Sequence, residues 1–403
     1  MRGPWLASFL GSALLPLIAI CFVTGLLSHA AYNPGLGRNE VIGPGGLDVV
    51  VVDWPTSPVW LYALNQGLHV ATGIAAIPLL LAKLWSVIPK LYEWPPVRSV
   101  AHGLERLSLA LLVGGSLFVF FTGVLNIQLY YPWKFNFLPA HYYGAWIFVA
   151  ALALHVALKL PAVRRAFRER GVLRPLRDDL EHTRPEPFEE GTTAPLEPAE
   201  PTISRRGLIG AVGAACLGLL ILAGGQSVGG PLRRLSLLGP HGENPGSGPN
   251  GFQVNKTAAS VGIVTEQTGP GWHLRLSGPG GVTELTRDDL LRMSQVTERL
   301  PIACVEGWST TQEWTGVRLR DLAAIAGAAR GDAVLVESLQ RAGAFRQATL
   351  DADAVNDHRS LLALRVNGAD LSLDHGFPAR VIVPALPGVH CTKWVASMRF
   401  GVA

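Results

Sequence analysis

Charge is what this chain has least of. Lys, Arg, Asp and Glu make up 16% of its 403 residues, against about 25% in an ordinary soluble protein. Cysteine is also scarce, with four in the whole chain, which excludes a small disulfide scaffold. With 49% hydrophobic residues, disorder, collagen and coiled coil are excluded too. A mean hydropathy of +0.29 leaves a membrane protein, or a membrane segment joined to something soluble. No nucleic-acid partner is expected.

The uncharged stretches decide between these. Residues 3–37, 54–82, 107–133, 135–158 and 207–232 contain no Asp, Glu, Lys or Arg, and each exceeds the roughly 20 apolar residues needed to cross a bilayer core. They predict membrane helices near Trp5–Leu27, Val59–Ala82, Leu107–Ile127, His141–Lys159 and Gly207–Leu222. Segments 83–106 and 159–206, with Arg2, hold fifteen Lys and Arg, whereas 28–58 and 128–140 hold two. By the positive-inside rule the N-terminus is expected in the cytoplasm and residues 233–403 outside, on a multi-pass protein of the bacterial cytoplasmic membrane.

Four parts follow. Residues 1–162 are expected to form an all-α four-helix bundle. Residues 163–203 read as a cytoplasmic linker, basic at first (Arg164, Arg165, Arg168, Arg170, Arg174, Arg177), then acidic and Pro-rich (Glu186, Glu189, Glu190, Glu197, Glu200, with Pro185, Pro187, Pro195, Pro198, Pro201); such a stretch cannot bury a core. Residues 204–232 hold Ser204-Arg205-Arg206-Gly207-Leu208-Ile209 and the fifth helix, which resemble a twin-arginine export signal. A plain basic flank to a membrane helix is the alternative. No small-residue cleavage site follows, so an uncut anchor is expected.

Ionisable groups inside a bilayer are functional candidates, and the membrane half holds His29, His69, His102, His141 and His155. On one helix, His141 and His155 lie about 40° apart in azimuth and about 21 Å apart along the axis. That arrangement suits two stacked haems clamped from a neighbouring helix. Interfacial or hydrogen-bonded histidines without haem are the alternative. His69-x-x-x-Gly73, Thr122-Gly123 and His141-x13-His155 resemble the four-helix cytochrome b family of formate dehydrogenase and hydrogenase membrane subunits. That family usually has a His before the Trp that opens helix 1, where this chain has Pro4. The resemblance implies one or two b-type haems on His69, His141 and His155; the expected outer pair is His69 and His141, His102 stands at the right depth to replace the missing inner ligand opposite His155, and His29 is a spare candidate. Tyr130, Tyr131, Trp133, Tyr142 and Tyr143 read as an interfacial aromatic belt.

Residues 233–403 change character. Short runs at Trp272–Leu276, Ala333–Glu337, Ala363–Val366, Ala379–Val383 and Trp394–Phe400 read as strands, and Thr286–Met293 and Leu319–Ala326 as helices, giving an α+β, mainly β domain. Cys304 and Cys391 lie here, and an exported domain could join them in a disulfide; Cys21 and Cys216 lie within membrane helices.

Cys304-Val305-Glu306-Gly307-Trp308-Ser309 and Trp314-x-Gly316-x-x-Leu319 resemble bacterial members of the sulfite oxidase family of molybdopterin oxidoreductases. So does the longer stretch from Leu362 through His375-Gly376-Phe377-Pro378-Ala379-Arg380 to Gly388 and Lys393-Trp394. The resemblance implies a molybdopterin cofactor whose metal is bound by Cys304. It implies pterin contacts at Asn255, Lys256, Ser338, His375, Arg380, Cys391, Thr392 and Lys393. Arg and Lys suit the phosphate that ends the pterin. Sulfite oxidases follow the Cys with a basic set that helps bind the oxyanion, whereas this chain places Glu306 and Trp308 there.

The expected function is therefore a membrane-bound enzyme exchanging electrons between quinone, b-type haem and molybdenum, reducing a small S-oxide or N-oxide. The alternatives are a sulfite-like substrate dehydrogenase passing electrons to quinone, and a non-enzymatic b cytochrome with a metal-free outer binding domain. Membrane lipid, quinone or quinol and a small-molecule substrate are the expected partners.

Overall fold

A computed structural model describes residues 1–43, 46–47, 52–186, 191–228, 230–239 and 246–402. Pro187, Glu189 and Glu190 of the charged linker lie outside the described residues. The chain divides into two compact units.

The first unit takes Met1–Val23, His69–Gly225 and Arg234–Leu238. Its helices are drawn from α1 (Pro4–Ala31), α2 (Leu61–Leu91), α3 (Val100–Ile127), α4 (Phe137–Arg170) and α5 (Arg205–Val228). All five are long and apolar enough to cross a membrane, with mean hydropathies of 1.8 to 2.3. Each runs beyond the expected span at one end or both, because a helix continues past the apolar stretch, although α2 begins two residues late, at Leu61. Asn136 accepts from Leu138 N at the start of α4, and Gly171 ends it with φ of 72°. Leu14, Ile18, Ala76, Leu80, Val119 and Phe148 pack into the bundle core. Trp5 is 1% exposed and donates from Nε1 to Gly171 O at 2.9 Å.

The charged linker is less free than its composition suggests. Arg205 is 5% exposed and bonds Glu186 Oε1 and Arg184 O, both at 3.1 Å. Glu186 also receives a bidentate pair from Arg170, at 2.6 and 3.0 Å. Opposite charges far apart in sequence hold this stretch where apolar burial cannot.

The second unit takes Thr24–Leu68, Gln226–Arg233 and Gly239–Ala403. It contains two sheets. One runs β2 (Gly281–Thr286), β1 (His273–Gly278), β10 (Val395–Val402), β5 (Ala333–Ser338), β6 (Gln347–Leu350), parallel only between β1 and β10. The other runs β3 (Val296–Ala303), β4 (Ser309–Arg318), β7 (Leu361–Val366), β8 (Ala369–Asp370), with β9 (Arg380–Ile382) also on β7. Short helices α6 (Thr265–Thr268), α7 (Arg287–Arg292), α8 (Leu319–Ile325) and α9 (Ala352–Asn356) connect them. The mainly β class is as expected, but β2, β3, β4, β6 and β8 carried no clear apolar signal. β4 reads Ser-Thr-Thr-Gln-Glu-Trp-Thr-Gly-Val-Arg and buries only Trp314, Gly316 and Val317. Its identity as a strand comes from pairing with β3 and β7 rather than from its own residues.

Residues 24–68 join this unit through hydrogen bonds that composition does not announce. Asn39 Nδ2 donates to Thr349 O at 2.8 Å and Thr349 N returns a bond to Asn39 Oδ1 at 2.9 Å, which covers the free edge of β6. Trp54 Nε1 donates to Ala385 O at 2.7 Å. Arg359 Nη2 donates to Thr56 O at 3.1 Å and Ser57 Oγ at 2.7 Å.

Gly316 sits where β4 meets β7 most closely, and a Cβ there would lie 2.0 Å from Leu362 O. Gly316→Ala is expected to lose about 1–3 kcal/mol and to lower the unfolding temperature by several degrees. Gly331→Ala, with nothing within 4 Å of its Cβ, should leave it unchanged. Thermal melts of the two variants check this.

Candidate active site

The turn between β3 and β4 presents Cys304. Cys304 N donates to Trp308 O at 2.9 Å and Gly307 N to Cys304 O at 3.0 Å. This closure requires φ of 93° at Gly307, a left-handed conformation that glycine adopts without strain. Cys304 is a free thiol, as are the other three cysteines, so no disulfide to Cys391 forms.

Asn255 Nδ2 donates to Cys304 Sγ at 3.1 Å and to Glu306 Oε2 at 2.6 Å. Glu306 is 6% exposed, and burial pushes its carboxyl above the usual range. Burial, with Glu306 beside it, also pushes the Cys304 thiol well up. For both groups burial outweighs what favours the anion, the pull of Lys256 on Glu306 included. A cation bound at the sulfur would reverse that preference for the thiol.

Four basic side chains converge on the same region. Lys256 is affected by Cys304 and Glu306. His375 is 2% exposed, bonded through Nδ1 to Ser372 Oγ at 2.8 Å and through Nε2 to Phe252 O at 3.2 Å. Burial and the nearby Arg380 and Lys393 push His375 down to about 3. Arg380 donates from Nη1 to His375 O at 3.3 Å and lies 5.6 Å above the Trp314 ring. Lys393 Nζ bonds Lys256 O and Asp374 O, and burial with Arg380 and Lys256 lowers its pKa well below the ordinary value. Packing like charges this deeply is unfavourable unless an anion joins them.

Buried polar atoms without a partner include Arg380 Nε, within this cluster, and Thr392 Oγ1, next to Lys393 in the chain; His390 Nδ1 and Gln340 Oε1 are others. Each unmet group costs about 1–3 kcal/mol, which a polar, anionic ligand beside Arg380 would relieve. Residues 261–402 match the family model described as an oxidoreductase molybdopterin binding domain. The second unit therefore holds a molybdopterin-binding oxidoreductase domain, of the sulfite oxidase-like kind.

Among similar proteins are the catalytic subunit of a protein-methionine-sulfoxide reductase from Xanthomonas campestris pv. campestris and the mitochondrial sulfite oxidase of Mus musculus. The first is 30% identical over 166 residues, 37% of this chain and 50% of the relative. The second is 36% identical over 110 residues, 26% of this chain and 20% of the relative. The chain thus spans half or less of the length of these relatives. The sulfane dehydrogenase SoxCD of Paracoccus pantotrophus aligns in structure at 25% identity and a TM-score of 0.31, over 33% of this chain and 39% of that chain.

In the second unit, Cys304, Asn255, Lys256, His375, Arg380 and Lys393 come together, and Thr392 precedes Lys393 in the chain. Ser338 and Cys391 stand differently. Ser338 Oγ donates to Lys393 O at 2.8 Å, and so braces the backbone of a basic residue. The Cys391 side chain is 3% exposed within the domain's hydrophobic core. Gln340 and His390 went unnoticed in the sequence, although His390 adjoins Cys391, and a histidine beside expected contacts was the available signal.

In the helical unit, His69 and His141 come together, with ring centroids 6.3 Å apart at 82°. His69 Nδ1 bonds Cys21 O at 2.8 Å. His102 faces elsewhere: its Nδ1 accepts from Arg98 N at 3.1 Å and its Nε2 lies 3.7 Å from Glu93 Oε2. Among the described residues His102 and His155 make no ring contact. His29 belongs to the second unit and is 6% exposed.

Arg380→Met removes a buried donor from the cluster without leaving a large hole. Because a hydrogen bond to a charged group contributes about 1.5–3 kcal/mol, pterin retained by the purified protein is expected to fall about tenfold or more. Assay of released pterin checks this, with Arg380→Lys expected to retain an intermediate amount.

Proposed function

We propose that this chain is a membrane-bound oxidoreductase that passes electrons from quinol through b-type haem to a molybdopterin-held molybdenum centre, where a small S-oxide or N-oxide is reduced. The observation that carries this reading is the Cys304 thiol, bonded by Asn255, in a region of buried basic side chains and orphaned polar atoms. When bound, molybdenum would supply oxygen-atom transfer, taking the oxygen of the oxide while giving up two electrons, and haem would return those electrons singly.

The residues have distinct parts to play. Cys304 supplies a soft thiolate suited to molybdenum, and Asn255 orients it. Arg380, Lys393, Lys256 and His375 would hold the pterin and its phosphate through charge-assisted bonds. Glu306 presents an acid where a sulfite-binding site would want cations, which opposes an oxyanion substrate and suits a neutral oxide. Reduction of an S-oxide consumes two electrons and two protons and releases water, so a buried carboxyl beside the thiol is also a natural place to hold a proton.

His69 and His141 support the haem part. Bonding of His69 Nδ1 to the Cys21 carbonyl leaves Nε2 to face a metal, the usual arrangement for a ligating histidine. The two rings lie 6.3 Å apart between centroids, so both would be within reach of one metal held between them. His102, engaged with Glu93, is the weaker ligand candidate. The excess of Lys and Arg on segments 83–106 and 159–206 supports placing the molybdopterin domain outside the cytoplasm.

The test uses the purified full-length protein. Wild type is expected to carry about one molybdenum per chain and Cys304→Ser almost none; wild type without molybdenum overturns the enzyme reading. After dithionite reduction, a panel of S-oxides and N-oxides should reoxidise the haem α band. A band reduced by sulfite from the oxidised state would reverse the direction of electron flow. His69→Ala and His141→Ala should each abolish the b-type band, and its survival in both would overturn the ligand pair.

A further inference from the structure

The turn that bears Cys304 is gripped by residues outside the molybdopterin fold. Gln66, in the second turn of α2, is 7% exposed. Its Nε2 donates to Val305 O at 2.5 Å, and its Oε1 accepts from Ser28 Oγ near the end of α1. Tyr62, four residues earlier, is 1% exposed and packs with Ala31 against Ala303. Positions 62 and 66 share one helix face, so a single face of α2 holds both chain neighbours of Cys304. Tyr32, just past α1, lies with its ring 6.0 Å from that of His390. All of these partners belong to the second unit, and Ser28, Tyr32, Tyr62 and Gln66 lie outside the residues matched by the family model.

We propose that Gln66 and Tyr62 are positioning residues for Cys304, so that the metal-binding thiol is placed by α2 as well as by its own hairpin. The inference rests on reading Cys304 as the molybdenum ligand. A hairpin tip is held by its strands at the base and by little else at the apex. Here the carbonyl of residue 305 is fixed from outside, and the side chain of residue 303 is packed from outside. A primary amide within a long apolar helix is unfavourable unless both its ends are bonded; Gln66 meets that demand by joining Ser28 to Val305. His69 follows three residues later on the same helix, so α2 carries both the grip on Cys304 and a candidate haem ligand.

Two variants of the full-length protein separate this role from plain stability. Gln66→Leu removes both bonds. Gln66→Glu keeps the acceptor for Ser28 but sets an oxygen against the Val305 carbonyl. In protein made without molybdenum, alkylation of Cys304 by iodoacetamide, located by peptide mass mapping, is expected to quicken about tenfold in both. Ser28→Ala should quicken it less, because the Val305 bond survives. In molybdenum-loaded protein, the electron paramagnetic resonance spectrum of the metal should change shape in Gln66→Glu. Wild-type alkylation rates and an unaltered spectrum would overturn the proposal. So would an equal quickening in the remote Gly331→Ala, which would mean general loosening. A wild-type protein that binds no molybdenum would sink the reading of Cys304 as ligand, while the alkylation rates would still report on the grip itself.

Discussion

The five-residue turn from Cys304 to Trp308 is the constraint on which the rest of the site depends. It closes through two backbone hydrogen bonds and a left-handed Gly307, and it must set a thiol beside Asn255 while burying a glutamate two residues later. β3 and β4 make the hairpin, and β7 carries β4 on its far side. Leu361, Leu362 and Ala363 pair in turn with β9, which begins at Arg380. One continuous ladder thus connects the Cys304 turn to the strand of the buried guanidinium, and backbone bonds relate residues 76 positions apart.

The second governing fact is the concentration of buried positive charge. Burial of Arg380, Lys393, Lys256 and His375 is a strain that lowers the proton affinity of each, and basic neighbours add to it for Lys393 and His375. Carbonyl groups of Lys256, Asp374, His375 and Phe252 absorb part of it. The remainder calls for an anion, which a pterin ending in phosphate provides. The same logic explains why Glu306 is tolerated at 6% exposure: Asn255 donates to it, and Lys256 lies within its field.

Much of this was legible in residues. Five charge-free stretches predicted five helices, because a bilayer demands length and apolarity and little else. Cys304, His375, Arg380 and Lys393 were picked out by the resemblance of the motifs around them to those of sulfite oxidases. Less legible were the polar strands: β4 buries so few side chains that its sequence carries almost no alternation, and only its neighbours make it a strand. The linker misled in the other direction. Its Pro and Glu content suggested a loose tether, but Arg170, Glu186 and Arg205 tie its described part down, and ion pairs between distant residues leave no local pattern.

Sequence alone determined the five long apolar helices and the class of the second unit, since hydropathy and residue type act locally. Tertiary structure decided which groups meet. It paired His69 with His141 and turned His102 to Glu93, and it left Cys304 and Cys391 unjoined. It also brought Ser28, Tyr62 and Gln66 to the Cys304 turn. The reason is the same in each case: a contact between residues far apart in the chain is set by where packed elements carry them, and no local run of residues encodes that distance. The scarcity of charge marked where lipid was to be met, while the few charges buried in the second unit acquired their meaning only from one another.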